Sequence, residues 1–325
     1  MDEHTQTRPS PAGALPLTSW GLIAARGPDA GTFLQGQLTQ DVLSMDEGQA
    51  RLAGYCSAKG RLLATFVVVR GGPDEWWLAC SADLLAPTLK RLSMFVLRAR
   101  CKLTDATAER ALWGLVGPSV TRACSHQPPA DAPSTPAGPA APGAVVRTPG
   151  RIVVRLADAG GLPRALLLQD ADAPAPDGPV LTLQDWEAHE VRSAVARVQA
   201  RTVELFVPQM VNLEVVGGVS FQKGCYPGQE IVARSQYRGT LKRRAYLYAV
   251  DAPAQPGEAI FAADDPGQPA GAVVLAAPAH GQPGSWELMA ETKIAAAQGS
   301  TLHLGSVEGP ALRPLPLPYP LPAEA

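Results

Sequence analysis

The sequence is short of the residues that most often build metal centres and disulfide frameworks. Its 325 residues include five cysteines and five histidines, and none of them forms a Cys-x-x-Cys or His-x-His pair. Small secreted scaffolds carry more cysteine in shorter chains, so a disulfide framework is not expected. Without paired ligand spacing, a zinc or iron–sulfur centre held by this chain alone is not expected either.

Long apolar runs and an excess of one charge are also missing. No stretch approaches 18 uninterrupted apolar residues, so a transmembrane helix is not predicted. The start, MDEHTQTRPS, lacks the basic beginning and apolar centre of a signal peptide. The formal net charge is −2, so no general attraction to nucleic acid or to a membrane is expected. These features predict a cytoplasmic protein with reduced thiols.

The distribution of residue types predicts two regions in a protein of the α+β class. Residues 1–15 are expected to form a flexible tail. Between residues 16 and 240, β-branched strand runs are followed by helical spacing in an antiparallel context, which favours an α+β region. Within it, residues 125–143 are almost wholly Pro, Ala, Ser and Gly, as in a surface loop. Short apolar runs between Pro-Gly turns predict a small β-barrel with a Pro-rich tail over residues 241–325.

Three helices are predicted with their ends. Asp29 is placed to cap a helix that reaches about Leu38, because its side-chain oxygen can accept an N–H of the first turn. Ser81 is expected to cap a second helix. The amphipathic stretch TLQDWEAHEVRSAVARV predicts a third helix from about Leu183 to Val198.

The segment FQKGCYPGQEIVAR, residues 221–234, carries the clearest chemical signal. Lys223 is predicted to favour the thiolate form of Cys225 through its positive charge, and the thiolate is the reactive form. Glu230 would lie in the first turn of a helix whose N-terminus further stabilises a thiolate. The alternative is that Cys225 is a small buried residue of a tight turn, because free cysteines are usually buried and inert.

Two other groups of residues could bind a ligand. Trp20 and Trp186 each offer a flat surface on which a planar heterocycle can stack, although single tryptophans are more often core residues. A dense basic patch, interleaved with Tyr237, could hold a phosphate, a polyglutamate tail or RNA, or could be a solvated face at a domain junction. The patch consists of Arg234, Arg238, Lys242, Arg243 and Arg244.

The block KGCYPGQE resembles the K-G-C-Y-x-G-Q-E signature of the YgfZ family. These are folate-binding proteins that support iron–sulfur clusters, and they are relatives of the glycine-cleavage T-protein, an aminomethyltransferase. Three further blocks agree in order and spacing, FLQGQLTQDV at 33–42, YCSAKGRLLA at 55–64 and PQMVNLEVVGGVSFQ at 208–222, and PLPY follows near the end. The resemblance covers nearly the whole chain apart from 125–143. Pro227 departs from the family pattern and stiffens the turn.

The resemblance implies a T-protein-like folate-binding body of two α+β portions around a central opening, followed by a small C-terminal β-barrel. It implies tetrahydrofolate or a derivative as cofactor, and iron–sulfur enzymes or cluster-assembly proteins as partners of a monomeric protein, with an indirect role in tRNA modification. No stable nucleic-acid or membrane partner is expected. Cys225 would be the functional thiol, assisted by Lys223. The implied folate-binding residues are Trp20, Trp186, Tyr226, Gln229, Glu230, Arg234 and Arg238.

One departure separates the chain from the aminomethyltransferases of this resemblance. T-proteins carry an aspartate in the strand equivalent to GRLLATFVVV, where this chain has Ala64 and Thr65. Neither side chain can act as a general acid, so conventional aminomethyltransferase chemistry is not expected. Two alternatives stay open. A folate-dependent C1 transferase or demethylase would need Asp41 or Glu214 as its carboxylate, and an RNA-binding module would use the Arg234–Arg244 patch.

Overall fold

A computed structural model describes residues 11–125, 141–237 and 241–322 of the chain. Over these residues the strands are β1 (Gly13–Pro16), β2 (Trp20–Arg26), β3 (Ala50–Cys56), β4 (Leu62–Gly72), β5 (Glu75–Ser81), β6 (Lys102–Asp105), β7 (Arg110–Val116), β8 (Val145–Thr148), β9 (Arg151–Ala159), β10 (Leu162–Asp170), β11 (Arg243–Val250), β12 (Ala259–Ala262), β13 (Gly271–Pro278), β14 (Trp286–Lys293), β15 (Leu302–Leu304) and β16 (Arg313–Leu315). The helices are α1 (Ala30–Gln35), α2 (Ala82–Ser93), α3 (Pro118–Cys124), α4 (Leu183–Ser193), α5 (Gln229–Tyr237) and α6 (Ile294–Gly299), with 3₁₀ turns at Ala200–Thr202 and Pro208–Val211.

The first sheet has the strand order β3-β4-β5-β2-β6, with antiparallel neighbours. Along β2, Leu22 and Ala24 pack toward the second sheet, whereas Ile23 and Ala25 pack on the side of α1 and α2. Successive side chains of a strand point to opposite faces, so both faces of this sheet are buried. This explains why its strands are continuous apolar runs.

The second sheet has the order β1-β7-β10-β9-β8. Gly160 and Gly161, both with positive φ, turn the chain between β9 and β10. Strand β1 pairs with β7 and begins at Gly13, inside the segment 1–15 that the sequence assigned to a flexible tail. That tail assignment is therefore wrong for residues 13–15, because their backbone is used by the edge of the sheet. Residues 1–10 and most of 125–143 lie outside the described residues.

The third sheet takes only strands from Arg243 onward, in the order β15-β12-β13-β14-β11-β16. The segment 310–315 reaches both of its ends, because Ala311 bridges His303 of β15 and Leu315 pairs with Leu247 of β11. The sheet is thus a curled half-barrel, which confirms the predicted small C-terminal barrel. No helix among the described residues has the length and apolarity needed to cross a membrane.

Two predicted helices extend less far than expected. α1 ends at Gln35 rather than near Leu38, and α4 ends at Ser193 rather than near Val198 because Ala194 adopts φ 51°. A residue in the left-handed region commonly ends a helix. The chain after Ala194 is then free to run along the face of the first sheet.

The side chains of Asp29 and Ser81, which were predicted to cap helices, bind other groups instead. The carboxylate of Asp29 accepts hydrogen bonds from the backbone N–H and the guanidinium of Arg100. The hydroxyl of Ser81 accepts one from Arg197. Long-range partners therefore outcompete the local capping bonds at both positions.

Candidate functional site

A cavity of about 290 Å³ lies between the first two sheets. β3 and β4 form one wall, β9 and β10 the opposite wall, and the chain that follows α4 lies between them. Its lining is largely apolar and includes Trp20, Leu52, Phe66, Val154, Leu156 and Val216. An apolar cleft with a few polar groups is the usual form of a small-molecule site.

The polar side of the cavity contains a buried ion pair. Glu190 on α4 accepts two hydrogen bonds from Arg197, at 2.9 Å from Nε and 2.8 Å from a terminal nitrogen. Arg197 also donates to the hydroxyl of Ser81 at 2.8 Å and lies over the ring of Trp20, 5.2 Å from its centroid. The bidentate geometry fixes Glu190 in the wall, and Glu190 is the only carboxylate among the described lining residues.

Two more buried arginines line the cavity. Arg155 donates to the carbonyl oxygens of Leu156 and Arg164 and pairs with Asp158. Arg164 is 3% exposed and lies 4.5 Å from the centroid of the Trp186 ring. Its Nε is buried without a hydrogen-bond partner, and burial lowers the pKa of Arg164 to about 10. Arg164 therefore brings a positive charge to the cavity that the surrounding protein does not satisfy.

The two tryptophans predicted to hold a planar ligand occupy different places. Trp20 forms part of the cavity wall. Trp186 is fully buried, lies outside the lining and supports Arg164 from behind. Trp20 therefore lines the cavity itself, whereas Trp186 contacts Arg164, which lines the cavity.

Cys225 is exposed and lies away from the cavity lining. The alternative in which Cys225 is a small buried residue is therefore wrong. The neighbouring Lys223 is buried, and its Nζ donates hydrogen bonds to the carbonyls of Gln35 and Leu38. Burial lowers the pKa of Lys223 to about 8. Lys223 thus fastens the loop of the thiol to the end of α1, where helix carbonyls lack partners.

The blocks around Cys225 and around residues 57–60 meet in space. Gly228 has φ 78°, and a Cβ there would lie 2.4 Å from the carbonyl oxygen of Ser57. A Cβ on Gly60 would lie 2.8 Å from the Cβ of Ile231. Both positions need glycine because the two loops touch backbone to backbone.

One continuous segment, residues 217–225, joins the cavity to the thiol. Gly217 lines the cavity, and its carbonyl accepts a hydrogen bond from the side chain of Gln40. Thr39 donates to the carbonyl of Gly218 at 2.6 Å and accepts from the N–H of Ser220 at 2.9 Å. The segment is therefore held against residues 35–40 along its length.

The other predicted folate-binding residues cluster near Cys225 rather than around the cavity. Tyr226 is buried beside Lys223, with Nζ 4.9 Å from its ring centroid. Gln229, Glu230 and Arg234 lie on α5 and are not part of the cavity lining. Arg238 lies outside the described residues. The predicted set is thus divided between two places.

The carboxylates considered for transferase chemistry do not reach the cavity. Thr65 lines it, and its hydroxyl accepts a hydrogen bond from the N–H of Val198 at 3.0 Å. Ala64 is buried in the core on the other face. Glu214 pairs with Arg244, and burial raises the pKa of Glu214. Neither Asp41 nor Glu214 is part of the lining.

The basic patch is partly neutralised. Arg243 pairs with Glu291 at 2.7 Å, and Arg244 pairs with Glu214. Two of its five predicted cations are therefore bound to buried carboxylates. In the described ranges, no group of three or more Cys, His, Asp or Glu side chains is arranged to hold a metal ion.

The cavity residues that sequence reasoning missed are Arg155, Arg164, Glu190 and Arg197. A signal was available, because Arg155 and Arg164 interrupt the apolar strand runs RIVVRL and LPRALLL. Charged residues are rarely fully buried unless they are paired or used. What the sequence could not show is that the two strands and α4 face a common space.

The fold is similar to that of the glycine-cleavage T-protein. A crystal structure of the glycine cleavage system aminomethyltransferase T from Bartonella henselae matches it with a TM-score of 0.67, 17% identity, and coverage of 95% of this chain and 87% of that chain. The family described as the GCVT N-terminal domain matches residues 1–134. These matches confirm the predicted T-protein-like fold.

Sequence relatives define the family within that class. The tRNA-modifying protein YgfZ of Shigella boydii is 30% identical over 258 residues, which is 77% of each chain. The protein of the same name from Edwardsiella ictaluri is 33% identical over 250 residues, covering 73% of this chain and 72% of that protein. The chain belongs to the YgfZ family.

Proposed function

We propose that this chain is a tetrahydrofolate-binding protein that supports the assembly or repair of iron–sulfur clusters in client enzymes, and through them tRNA modification, with Cys225 as its functional thiol. Membership of the YgfZ family, whose relatives are named tRNA-modifying proteins, supports this proposal. The observation that carries it is the cavity between the sheets, with an aromatic wall and a buried carboxylate beside buried guanidinium groups.

The cavity residues fit a pterin ring, the flat heterocycle of tetrahydrofolate. Trp20 offers a face for stacking, Glu190 can accept hydrogen bonds from ring N–H groups, and Arg164 can donate to a ring oxygen. The volume of about 290 Å³ is at the lower limit of drug-sized sites, which suits the ring with the glutamate tail outside. Bound tetrahydrofolate would supply a carrier of one-carbon units.

The exposed position of Cys225 supports a role toward another protein. The thiol is accessible at the surface, on a loop that Lys223 ties to α1. A client protein can reach such a thiol, whereas a group inside the cavity is separated from it by residues 217–224. We infer that Cys225 acts on or docks to a client, and that the cavity ligand acts through the connecting segment.

The thiol is tested by complementation in a cell that lacks its own copy of the protein. Cys225→Ser is expected to leave iron–sulfur enzyme activity at the level of the empty vector, because a hydroxyl is a far weaker nucleophile and metal ligand than a thiolate. The matched control is Cys124→Ser, a half-buried cysteine on α3, which is expected to restore activity. Full restoration by Cys225→Ser at equal protein level would refute the role of the thiol.

The two alternatives gain no support from the geometry. A transferase would need a carboxylate at the reacting atom, whereas the resemblance aligns Ala64 and Thr65 with the T-protein aspartate, and neither Asp41 nor Glu214 lines the cavity. An RNA-binding patch would need Arg243 and Arg244, which are paired.

A further inference from the structure

Arg164 is a buried cation of the cavity wall that forms neither an ion pair nor a side-chain hydrogen bond with the described residues. It is 3% exposed, it lines the cavity, and its Nε has no hydrogen-bond partner. Across the described residues its guanidinium forms no ion pair and no hydrogen bond; its close contact is the ring of Trp186. Glu190, the nearby carboxylate, is held by Arg197, and Asp158 by Arg155.

A buried cation in this position is unfavourable unless something satisfies it. Removal from water weakens the solvation of the guanidinium, and nearby cations add repulsion. Folded proteins seldom keep such a group without a use for it. A ligand that presents an oxygen acceptor to Arg164 would supply the missing hydrogen bonds.

The arrangement of charges indicates which kind of ligand oxygen would accept hydrogen bonds from Arg164. Arg164 can donate and Glu190 can accept within the same apolar space, beside the Trp20 ring. The edge of a pterin ring has the complementary pattern, because its 4-carbonyl oxygen accepts and the adjacent ring N–H and 2-amino group donate. The carboxylates of the glutamate tail would instead lose their hydration against a largely apolar wall.

We propose that Arg164 donates hydrogen bonds to the pterin carbonyl oxygen and makes the cavity selective for 4-oxo over 4-amino pteridines. This inference rests on the proposed binding of tetrahydrofolate. A 4-amino group would turn N–H donors toward the guanidinium, so the ligand would lose an acceptor and gain repulsion. Trp186 would be a positioning residue that holds Arg164 in place.

The test uses folic acid and aminopterin, which carry the same tail and differ in the 4-oxo and 4-amino groups. Isothermal titration calorimetry of the wild type is expected to show tetrahydrofolate binding and at least about tenfold tighter binding of folic acid than of aminopterin. In Arg164→Met, which keeps the length of the side chain without its donors, the preference is expected to disappear. Arg151→Met, a change on β9 outside the cavity lining, is expected to keep it.

The thermal stability of Arg164→Met shows whether this variant still folds. Arg164→Met replaces a buried unpaired cation by an apolar chain, so its thermal midpoint is expected to equal or exceed that of the wild type. A large decrease would mean that Arg164 has a structural partner and would overturn the inference.

The outcomes separate the inference from the proposed function. If the wild type binds tetrahydrofolate but binds folic acid and aminopterin equally, or if Arg164→Met keeps the preference, the selectivity is refuted and folate binding stands. If Arg164→Met specifically weakens binding of p-aminobenzoylglutamate, Arg164 binds the tail and the inference is wrong. If the wild type binds no folate at all, the proposed function itself fails.

Discussion

At the scale of single residues, the molecule keeps several ionisable groups buried, and each has a different consequence. Arg197 and Glu190 satisfy each other, Lys223 is satisfied by backbone carbonyls, and Arg164 is satisfied by nothing in the described chain. The first pair fixes the wall of the cavity, the lysine fixes the thiol loop, and the role that we propose for the lone guanidinium is to bind a ligand. Burial alone therefore does not identify function; at Arg164 the missing partner coincides with a place in the cavity wall.

The effect of burying an ionisable group can be tested at His189 without any ligand. It is buried on α4 with Nε2 2.8 Å from the carbonyl oxygen of Pro11, and burial lowers the pKa of His189 to about 4. Between pH 6.5 and 4 the unfolded chain binds a proton at this residue that the folded chain does not. Stability is therefore complete above this window and falls as pH decreases through it, by up to about 1.4 kcal/mol per pH unit.

The variant His189→Gln, which keeps a donor for Pro11 and does not titrate, is expected to show a flatter decrease than the wild type. Urea unfolding near pH 7 and near pH 5 measures the two slopes. Parallel slopes for both proteins would mean that His189 does not govern acid stability.

At the scale of elements, tertiary contacts determine where α4 ends and which residues form the cavity wall. α4 ends at Ala194, and the residues after it form the cavity wall, where the N–H of Val198 binds the hydroxyl of Thr65. A helix continuing to Val198, as its apolar spacing predicted, would have closed this space. Periodicity in the sequence could predict that the helix exists, but its end depends on a tertiary contact with β4 that the local pattern does not contain.

The contact between the thiol loop and the turn at residues 57–60 can be tested with two neighbouring glycines. Gly228→Ala places a Cβ at positive φ against the carbonyl of Ser57, whereas a Cβ on Gly224 meets nothing within 4 Å. Gly228→Ala is expected to lower the free energy of unfolding by about 1–3 kcal/mol. Gly224→Ala is expected to change it by less than about 0.5 kcal/mol. Denaturant unfolding measures both, and equal effects would contradict the described packing of the two loops.

At the scale of the whole molecule, the C-terminal half-barrel supports the site rather than standing apart. Tyr319 of the PLPY block donates a hydrogen bond from its hydroxyl to the carbonyl of Ala194 at 2.7 Å. Asn212 donates to the carbonyl of Ala245 at 2.8 Å, and Arg192 on α4 pairs with Glu287. The end of α4, from which the cavity wall continues, is therefore held by residues far away in sequence.

The sequence predicted the class of fold and the family, because both depend on local patterns and on resemblance. It could not predict that the assigned folate residues divide between two places. Trp186 and Arg234 were both plausible contacts on residue type alone, yet one lies behind Arg164 and the other on α5. Only the packing of the two sheets shows which side chains share a space.

Whether tetrahydrofolate binds in the cavity between the sheets can be measured by calorimetric titration of tetrahydrofolate into the wild type, Trp20→Leu and Trp286→Leu. Trp20→Leu removes a flat ring from the cavity wall, whereas Trp286 lies in β14 of the half-barrel. We expect binding to the wild type, a loss of affinity of about tenfold in Trp20→Leu and no change in Trp286→Leu. Absence of binding to the wild type, or unchanged affinity in a folded Trp20→Leu variant, would contradict this expectation.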